Sequence, residues 1–346
     1  MSGVRSPASA ALAPRAVRRP RLGFVGVGWI GASRMQALAA TDLAEVVAVA
    51  EPDADSRTGA VERAPGVRGV NDLAELLEMD LDGVVIATPS ALHAEQARQA
   101  FAGGVAVFCQ KPLGRDLAET RAVIEAARAA DRLLGVDLSY RHLEAVEAVR
   151  ALLREGELGR VYAAELTFHN AYGPDKPWFT RRCESGGGCL IDLGTHLLDL
   201  VMGLTGGSDA EVLSRVLLRG GEPLSAGTEA VEDFALAQLR LNSGIDVRLA
   251  CSWFLPAGRD CVIEMTLYGT AGAASVRNVD GSFYDFRAEH WRGTSSEVIA
   301  QPRDDWGPRA LIQWTAQLAQ TPSFDPAAEE YASLAGILDK IYRTAA

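Results

Sequence analysis

The sequence predicts an α/β chain: a doubly wound parallel sheet, followed by an α+β domain with a large open-faced, mostly antiparallel sheet. Three observations carry the prediction. At Leu22 to Gly31, LGFVGVGWIG, an apolar run passes through a glycine-spaced turn into a helical segment. As far as Leu138, short apolar runs alternate with helical stretches, the pattern of parallel strands covered on both faces. From Val212 onward, strands succeed one another with no helix between them, which calls for antiparallel pairing.

Residues Met1 to Pro20 are rich in Ala, Arg, Pro and Ser and lack a continuous apolar core, so they read as a disordered tail and not as a signal peptide or anchor. Arg18 and Arg19 run straight into the first strand, which argues against a twin-arginine signal. In the turn that follows, Gly26 lets the chain leave the strand, Gly28 lets backbone approach a pyrophosphate, and Gly31 lets the helix pack on the sheet. With Trp29 and Ile30 between them, these residues offer free N–H groups and a helix dipole to a phosphate. The second strand, Val46 to Ala50, ends at Glu51, twenty residues after Gly31, where a carboxylate accepts hydrogen bonds from the adenosine ribose. This is the opening of a Rossmann unit. NAD is the expected cofactor because Glu51 would repel a 2′-phosphate, and Arg57 is the residue that keeps NADP as the alternative.

Helices are expected at Pro52 to Ala64 and, from a polar cap, at Asn71 to Glu78. Gly83 to Thr88 is a buried strand stopped by Pro89, which places Thr88 and Pro89 at the carboxyl edge of the sheet, where ligands bind. His93, on the next helix, is expected to be partly exposed with no local partner, and is a candidate cofactor contact. Val105 to Cys109 is a strand leading into Gln110-Lys111-Pro112. Only three of the 34 basic residues are lysines, Lys111, Lys176 and Lys340. A compact ammonium at a strand end suits the polarising of a substrate oxygen, and Pro112 confines Lys111 to extended backbone. Asp116 and Glu119 form a D-x-x-E box that opens a helix to about Ala130. Leu133 to Leu138 closes the parallel pattern, so the dinucleotide domain spans 21–138 and the second domain 139–346, with the C-terminal helix packing back on the first. Tyr140 and Arg141, just past that boundary, are candidate substrate contacts.

In the second half, a helix at Leu143 to Arg154 precedes a strand at Arg160 to His169. Further strands are expected at Val212 to Leu218, Val231 to Leu241, Ile245 to Trp253, Cys261 to Tyr268 and Ala273 to Val276, with Asn242-Ser243-Gly244 as a hairpin link. An open sheet face favours a homodimer or homotetramer. Helices at about Gly307 to Gln320 and Pro326 to Arg343 end the pattern.

The strongest chemical signal is GGGCLIDLGTHLLD, residues 186–199. From Leu190 to Met202 the segment reads as a buried helix whose polar exceptions, Asp192, His196 and Asp199, fall on one face at i, i+4 and i+7. Buried carboxylates and imidazoles need partners or a function. A histidine near neutrality serves as general base or acid, with a carboxylate one turn away to hold its tautomer or the substrate. The preceding loop, His169 to Ser185, is long, aromatic and punctuated by proline, as binding lids are; His169, Tyr172, Lys176 and Trp178 are candidate substrate contacts.

A net charge of −11 argues against nucleic-acid binding, which rests on basic surface. Five scattered cysteines make zinc and structural disulfides poor expectations and a reducing cytoplasm the simpler setting. No metal site is expected, and no apolar run reads as spanning a bilayer.

Together, the glycine turn, the strand-end Lys-Pro and G-G-G-x-L-x-D-x-G-x-H-x-x-D resemble the glucose-fructose oxidoreductase, inositol dehydrogenase and rhizopine-catabolism (Gfo/Idh/MocA) family. The resemblance covers nearly everything from residue 21 onward. It implies an NAD(P)-dependent oxidoreductase of a sugar or polyol with Lys111, Asp192 and His196 as the catalytic set. Two other readings stay open: an NAD-dependent glycosidase working by transient oxidation, as in some relatives, and a dinucleotide-sensing regulator without turnover. One departure bears on them. The family usually has Glu-Lys-Pro, and here position 110 is glutamine, which removes a negative neighbour that would hold Lys111 charged.

Overall fold

A computed structural model describes residues 18–64, 66–225 and 227–344. The expected tail falls outside them as far as residue 17. Residues 18–20 are bonded to the first layer, with only Pro20 buried: the Arg18 guanidinium pairs with Asp82 at 2.7 Å and the Pro20 carbonyl accepts from Glu45 N–H.

The first layer alternates strand and helix: β1 (Arg21–Val25), α1 (Trp29–Ala39), β2 (Glu45–Ala50), α2 (Ala54–Arg63), β3 (Arg68–Val70), α3 (Leu73–Leu77), β4 (Gly83–Ile86), α4 (Ser90–Ala102), β5 (Ala106–Cys109), α5 (Leu117–Ala130) and β6 (Leu134–Val136). The six strands are parallel in the order β3-β2-β1-β4-β5-β6. Chain direction across the sheet therefore reverses between β1 and β4, and ligands of such sheets bind at that point. The short β3 escaped the sequence reading because RGV is too brief to show alternation. The Asp116 carboxylate caps α5 by accepting from Glu119 N–H at 2.8 Å, but Glu119 returns its bond to Arg115 N–H, one residue beyond a regular capping box.

The second layer contains α6 (Glu144–Glu155), β7 (Val161–Asn170), α7 (Arg182–Ser185), a wide turn of helix over Leu190–Gly194 that continues as α8 (Thr195–Thr205), and then β8 (Ala210–Arg219), β9 (Glu222–Pro223), β10 (Phe234–Leu241), β11 (Asp246–Ser252), β12 (Cys261–Gly269), β13 (Ala273–Asn278), β14 (Phe286–Arg292) and β15 (Ser295–Ala300). Its nine strands lie in the order β15-β14-β13-β12-β7-β11-β10-β8-β9, antiparallel except for β7 against β11. The hairpin at Asn242 to Gly244 joins β10 to β11, with Gly244 at φ +85°. Strands β14 and β15 were not foreseen. The helical stretch Arg182–Thr205, which holds α7, the wide turn and α8, is 24 residues long and apolar enough to cross a membrane by length and composition, against the sequence reading, but 78% of its most apolar window is buried inside the protein, as in a core element.

Two last helices, α9 (Arg309–Gln320) and α10 (Glu329–Arg343), return to the first layer. Ala310, Leu311, Trp314 and Leu318 of α9 join Leu22, Phe24, Val85 and Phe108 in one core cluster. Residues 309–320 thus cover the parallel sheet alongside α1, so the first layer is not confined to 21–138. A Cβ at Gly83 or Gly135 would stand 2.7 or 2.5 Å from the Trp314 ring, which is why those two strands carry glycine there. Cutting Trp314 back to alanine would cost about 3–5 kcal/mol.

Candidate active site

The glycine turn has the geometry its sequence demands. Gly26 has φ +83°, and a Cβ there would lie 2.8 Å from the Ala87 carbonyl; one at Gly31 would lie 2.3 Å from Gly26 O. Gly28 has nothing within 4 Å of its Cβ position, leaving the backbone open from above, as a pyrophosphate requires. Trp29 and Ile30 open α1, with Trp29 largely exposed. Glu51 follows β2, and its carboxylate accepts from Val27 N–H and Asp53 N–H, both at 3.2 Å. Arg57 donates to the Glu51 and Pro52 carbonyls, so its guanidinium is tied to backbone. Thr88 and Pro89 lie at the end of β4, where the Thr88 hydroxyl donates to Gln96 at 2.6 Å.

His93 corrects the sequence reading. It is 1% exposed, and its two ring nitrogens sit 2.7 Å from the Pro112 and Thr88 carbonyls. It links the turns after β4 and β5 and is closed off from solvent. No local sequence signal could place those two carbonyls around it.

Lys111 extends from the end of β5 to Asp192, giving Nζ contacts of 2.6 Å to Oδ1 and 2.8 Å to the backbone carbonyl, with each side chain 18% exposed. Asp192 lies in the wide turn Leu190–Gly194, where the helix opens to i→i+5 bonding, a feature frequent at functional sites. Its other oxygen accepts from Trp253 Nε1 at 3.1 Å. Trp253 immediately follows β11, and sequence reasoning missed it. Register shows why it arrives: β11 lies beside β7, whose Phe168 faces the same helix.

His196 is held by rings and not by a carboxylate. Its ring centroid lies 4.7 Å from Tyr140 and 6.4 Å from Phe168, and Nδ1 is buried with no partner among the described residues. The expected bond from Asp192 is absent from the structure, because Lys111 and Trp253 take both carboxylate oxygens. Burial and the Lys111 charge push the imidazole well below its ordinary pKa, so it is neutral, the form in which a ring nitrogen can accept a proton. Tyr140 joins this cluster, packed also on Trp306 and Phe286, and burial pushes its hydroxyl pKa up.

The other candidates have different surroundings. Arg141 forks onto Asp199, Nε 2.7 and 2.8 Å from the two carboxylate oxygens, and reaches Glu330 with Nη1 at 2.7 Å. The third polar residue of the helix face is therefore a structural clamp to α10. His169 points to the outer face of the large sheet, bonded to Ser252 at 2.8 Å and stacked on Phe234, while its neighbour Phe168 faces the site. Tyr172 donates to Asp260 at 2.7 Å and Lys176 is exposed beside Asp175. Within the loop, Trp178 stacks on Phe179, which meets Trp253 edge-on, so Trp178 is the one loop candidate connected to the site.

The three glycines before the helix form a packing knot. Added Cβ atoms would meet the Arg115 carbonyl at 2.5 Å, the Tyr342 hydroxyl at 2.0 Å and the Glu232 carbonyl at 1.9 Å, for Gly186, Gly187 and Gly188 in turn. The fully buried Glu232 accepts from Gly188 and Leu190 N–H at 3.0 Å and from the Tyr342 hydroxyl at 2.8 Å, and burial pushes its carboxyl pKa up. Three bonds thus set the start of the helix that carries Asp192 and His196. Among the described residues, no cluster of His, Cys, Asp and Glu has the makings of a metal site, and all five cysteines are free.

Comparison with known proteins follows this layout. Residues 20–138 match the oxidoreductase family with an NAD-binding Rossmann fold, and residues 146–275 match the GFO/IDH/MocA C-terminal domain. A putative UDP-kanosamine synthase oxidoreductase subunit from Amycolatopsis mediterranei is 33% identical over 272 residues, 74% of this chain and 75% of that protein. A 1,5-anhydro-D-fructose reductase from Ensifer adhaerens is 30% identical over 266 residues, 75% of this chain and 76% of the other. Among solved structures, a 3-ketoreductase from Actinomadura kijaniata in complex with NADP and TDP-benzene superposes with TM-score 0.81 at 23% identity, covering 94% of this chain and 97% of that one.

Proposed function

This chain belongs to the Gfo/Idh/MocA family of NAD(P)-dependent oxidoreductases, and we propose that it oxidises a secondary alcohol of a sugar or polyol, or reduces the matching ketone, with Lys111, Asp192 and His196 as its catalytic residues. The observation that carries the reading is the neutral imidazole of His196, its Nδ1 without a partner among the described residues, on the helix that also supplies the carboxylate of the Lys111–Asp192 ion pair. Gly26, Gly28, Gly31 and Glu51 fit a dinucleotide, which when bound supplies the nicotinamide that accepts or returns the hydride. His196 takes the substrate hydroxyl proton during oxidation and returns it during reduction. Lys111 steadies the negative charge that gathers on that oxygen. Asp192 and Trp253 fix the ammonium and so the position of the reacting oxygen. The stacked Trp178 and Phe179 give an apolar wall for the face of a sugar ring. The names of relatives, D-apiose dehydrogenase and inositol 2-dehydrogenase among them, support the substrate class.

Anaerobic incubation with NAD and a panel of sugars and polyols tests this: cofactor reduction should accompany oxidation of a single carbon. Release of a free sugar without net NADH would replace it with the glycosidase reading. We also read the outer face of the large sheet, where Val216, Leu218, Phe234 and Leu236 lie together by register, as the contact of a homodimer or homotetramer, and the reducing cytoplasm as the setting of five unpaired cysteines.

A further inference from the structure

Gln110 is the residue at which the family pattern fails, and the structure shows what faces it. Its side chain is buried, and Nε2 donates to Oδ2 of Asp137, itself buried just after β6. Arg34 of α1 donates to the same oxygen from Nε at 2.7 Å and to the Ser139 hydroxyl from Nη2 at 3.0 Å, while that hydroxyl donates to Asp137 Oδ1. Backbone bonds run beside them, from Gln110 N–H to Ile86 O and from Asp137 N–H to Cys109 O. The cluster therefore joins α1, which begins at the glycine turn, to the residue before Lys111.

Charge explains the amide. A closed pocket tolerates one guanidinium with one carboxylate, provided the other groups are oriented to donate. Glutamate at 110 would set a second carboxylate against Asp137, and one of the two would have to take up a proton. We infer that Arg34, Asp137 and Gln110 are a positioning network that holds Lys111 in register with the dinucleotide turn, its carboxylate residing on β6's end instead of at position 110. Gln110 is then the matched partner of Asp137 and no sign of lost catalysis.

The groups facing Asp137 are Arg34, Gln110, Ser139, the Cys109 thiol, which burial and the Asp137 charge push up, and His142, whose imidazole burial and Arg141 lower against the pull of Asp137. The inference rests on the Lys111 site, but its test needs no sugar. Gln110→Glu, Asp137→Asn and the double variant are compared by NADH fluorescence titration and by thermal melting from pH 5.5 to 8.5. At pH 8, Gln110→Glu should weaken NADH binding on the order of tenfold and lower Tm. Both losses should shrink as pH falls and one carboxyl takes a proton. Asp137→Asn should also weaken binding. The double variant, which exchanges carboxylate and amide, should recover NADH affinity to within about threefold of the native chain. A double variant no better than the worse single one would overturn the inference, as would Gln110→Glu binding NADH like the native chain. A Tm loss with unchanged NADH affinity would reduce the cluster to a structural one. Absence of turnover with every sugar would undo the proposed function and leave this network standing.

Discussion

Asp192 and Asp199 sit two turns apart on one helix face and have opposite fates. Asp199 is 2% exposed and saturated by the Arg141 fork, which Glu330 steadies from behind. Asp192, 18% exposed, shares its oxygens between Lys111 and Trp253, on the same helix as an imidazole whose Nδ1 has no partner among the described residues. The first assembly is closed and self-sufficient, whereas the second leaves polar capacity unused. Unused capacity in a nearly buried place is a mark of a site, and saturation is a mark of a joint.

Four measurements can break or sharpen that contrast. His196→Asn should have the largest effect, a loss on the order of 10²–10⁴-fold in kcat/KM for alcohol oxidation. Because only the neutral imidazole accepts a proton, native kcat/KM should rise with pH to a plateau, with its midpoint below the ordinary histidine value of 6.5, since burial and Lys111 lower this pKa; the limb should vanish in the variant. A loss under about tenfold would move His196 to the structural side. Lys111→Met should cut kcat on the order of 10²–10³-fold while Tm stays near native, and should shift the residual pH limb upward because a cation has left the imidazole. Unchanged kcat would mark Lys111 as a mere anchor for Asp192.

The joint should answer in the other currency. Asp199→Ala strips a buried partner from Arg141 and should cost about 3 kcal/mol of stability, at the low end because Glu330 remains; denaturant melts measure this. Activity per folded molecule should stay within severalfold, and a catalytic collapse with unchanged stability would erase the distinction between the two carboxylates. The smallest effect concerns Glu51, which should favour NAD over NADP in kcat/KM by on the order of tenfold through like-charge contact. Glu51→Ala should narrow the ratio, and an NADP preference in the native chain would remove Glu51 from that role.

What could be read from sequence was what spacing encodes. The glycine turn, Glu51, the strand-end lysine and the placement of Asp192 and His196 on one helix all depend on residues close in the chain. The partners that decide their chemistry lie far away: Trp253 is 61 positions from Asp192, Asp137 27 from Gln110, and Tyr342 110 from Glu232. That His169 turns away while Phe168 faces the site is a matter of strand parity, which the pairing of β7 with β11 and β12 fixes. The pairing of Arg141 was illegible for a similar reason, since its acidic partners come from two separate helices.

The position of α9 has a consequence for the growing chain. By Val136 all six parallel strands have been made, yet Trp314 and its neighbours, which cover Phe24, Val85 and Phe108, come more than 170 residues later. At ribosomal speeds of ~5–20 residues per second, that apolar face waits roughly ten to thirty seconds for its cover. A nascent segment ending near residue 138 should therefore attract chaperones or aggregate until α9 emerges, and one that stays monomeric and folded without it would show α9 to be dispensable to the sheet.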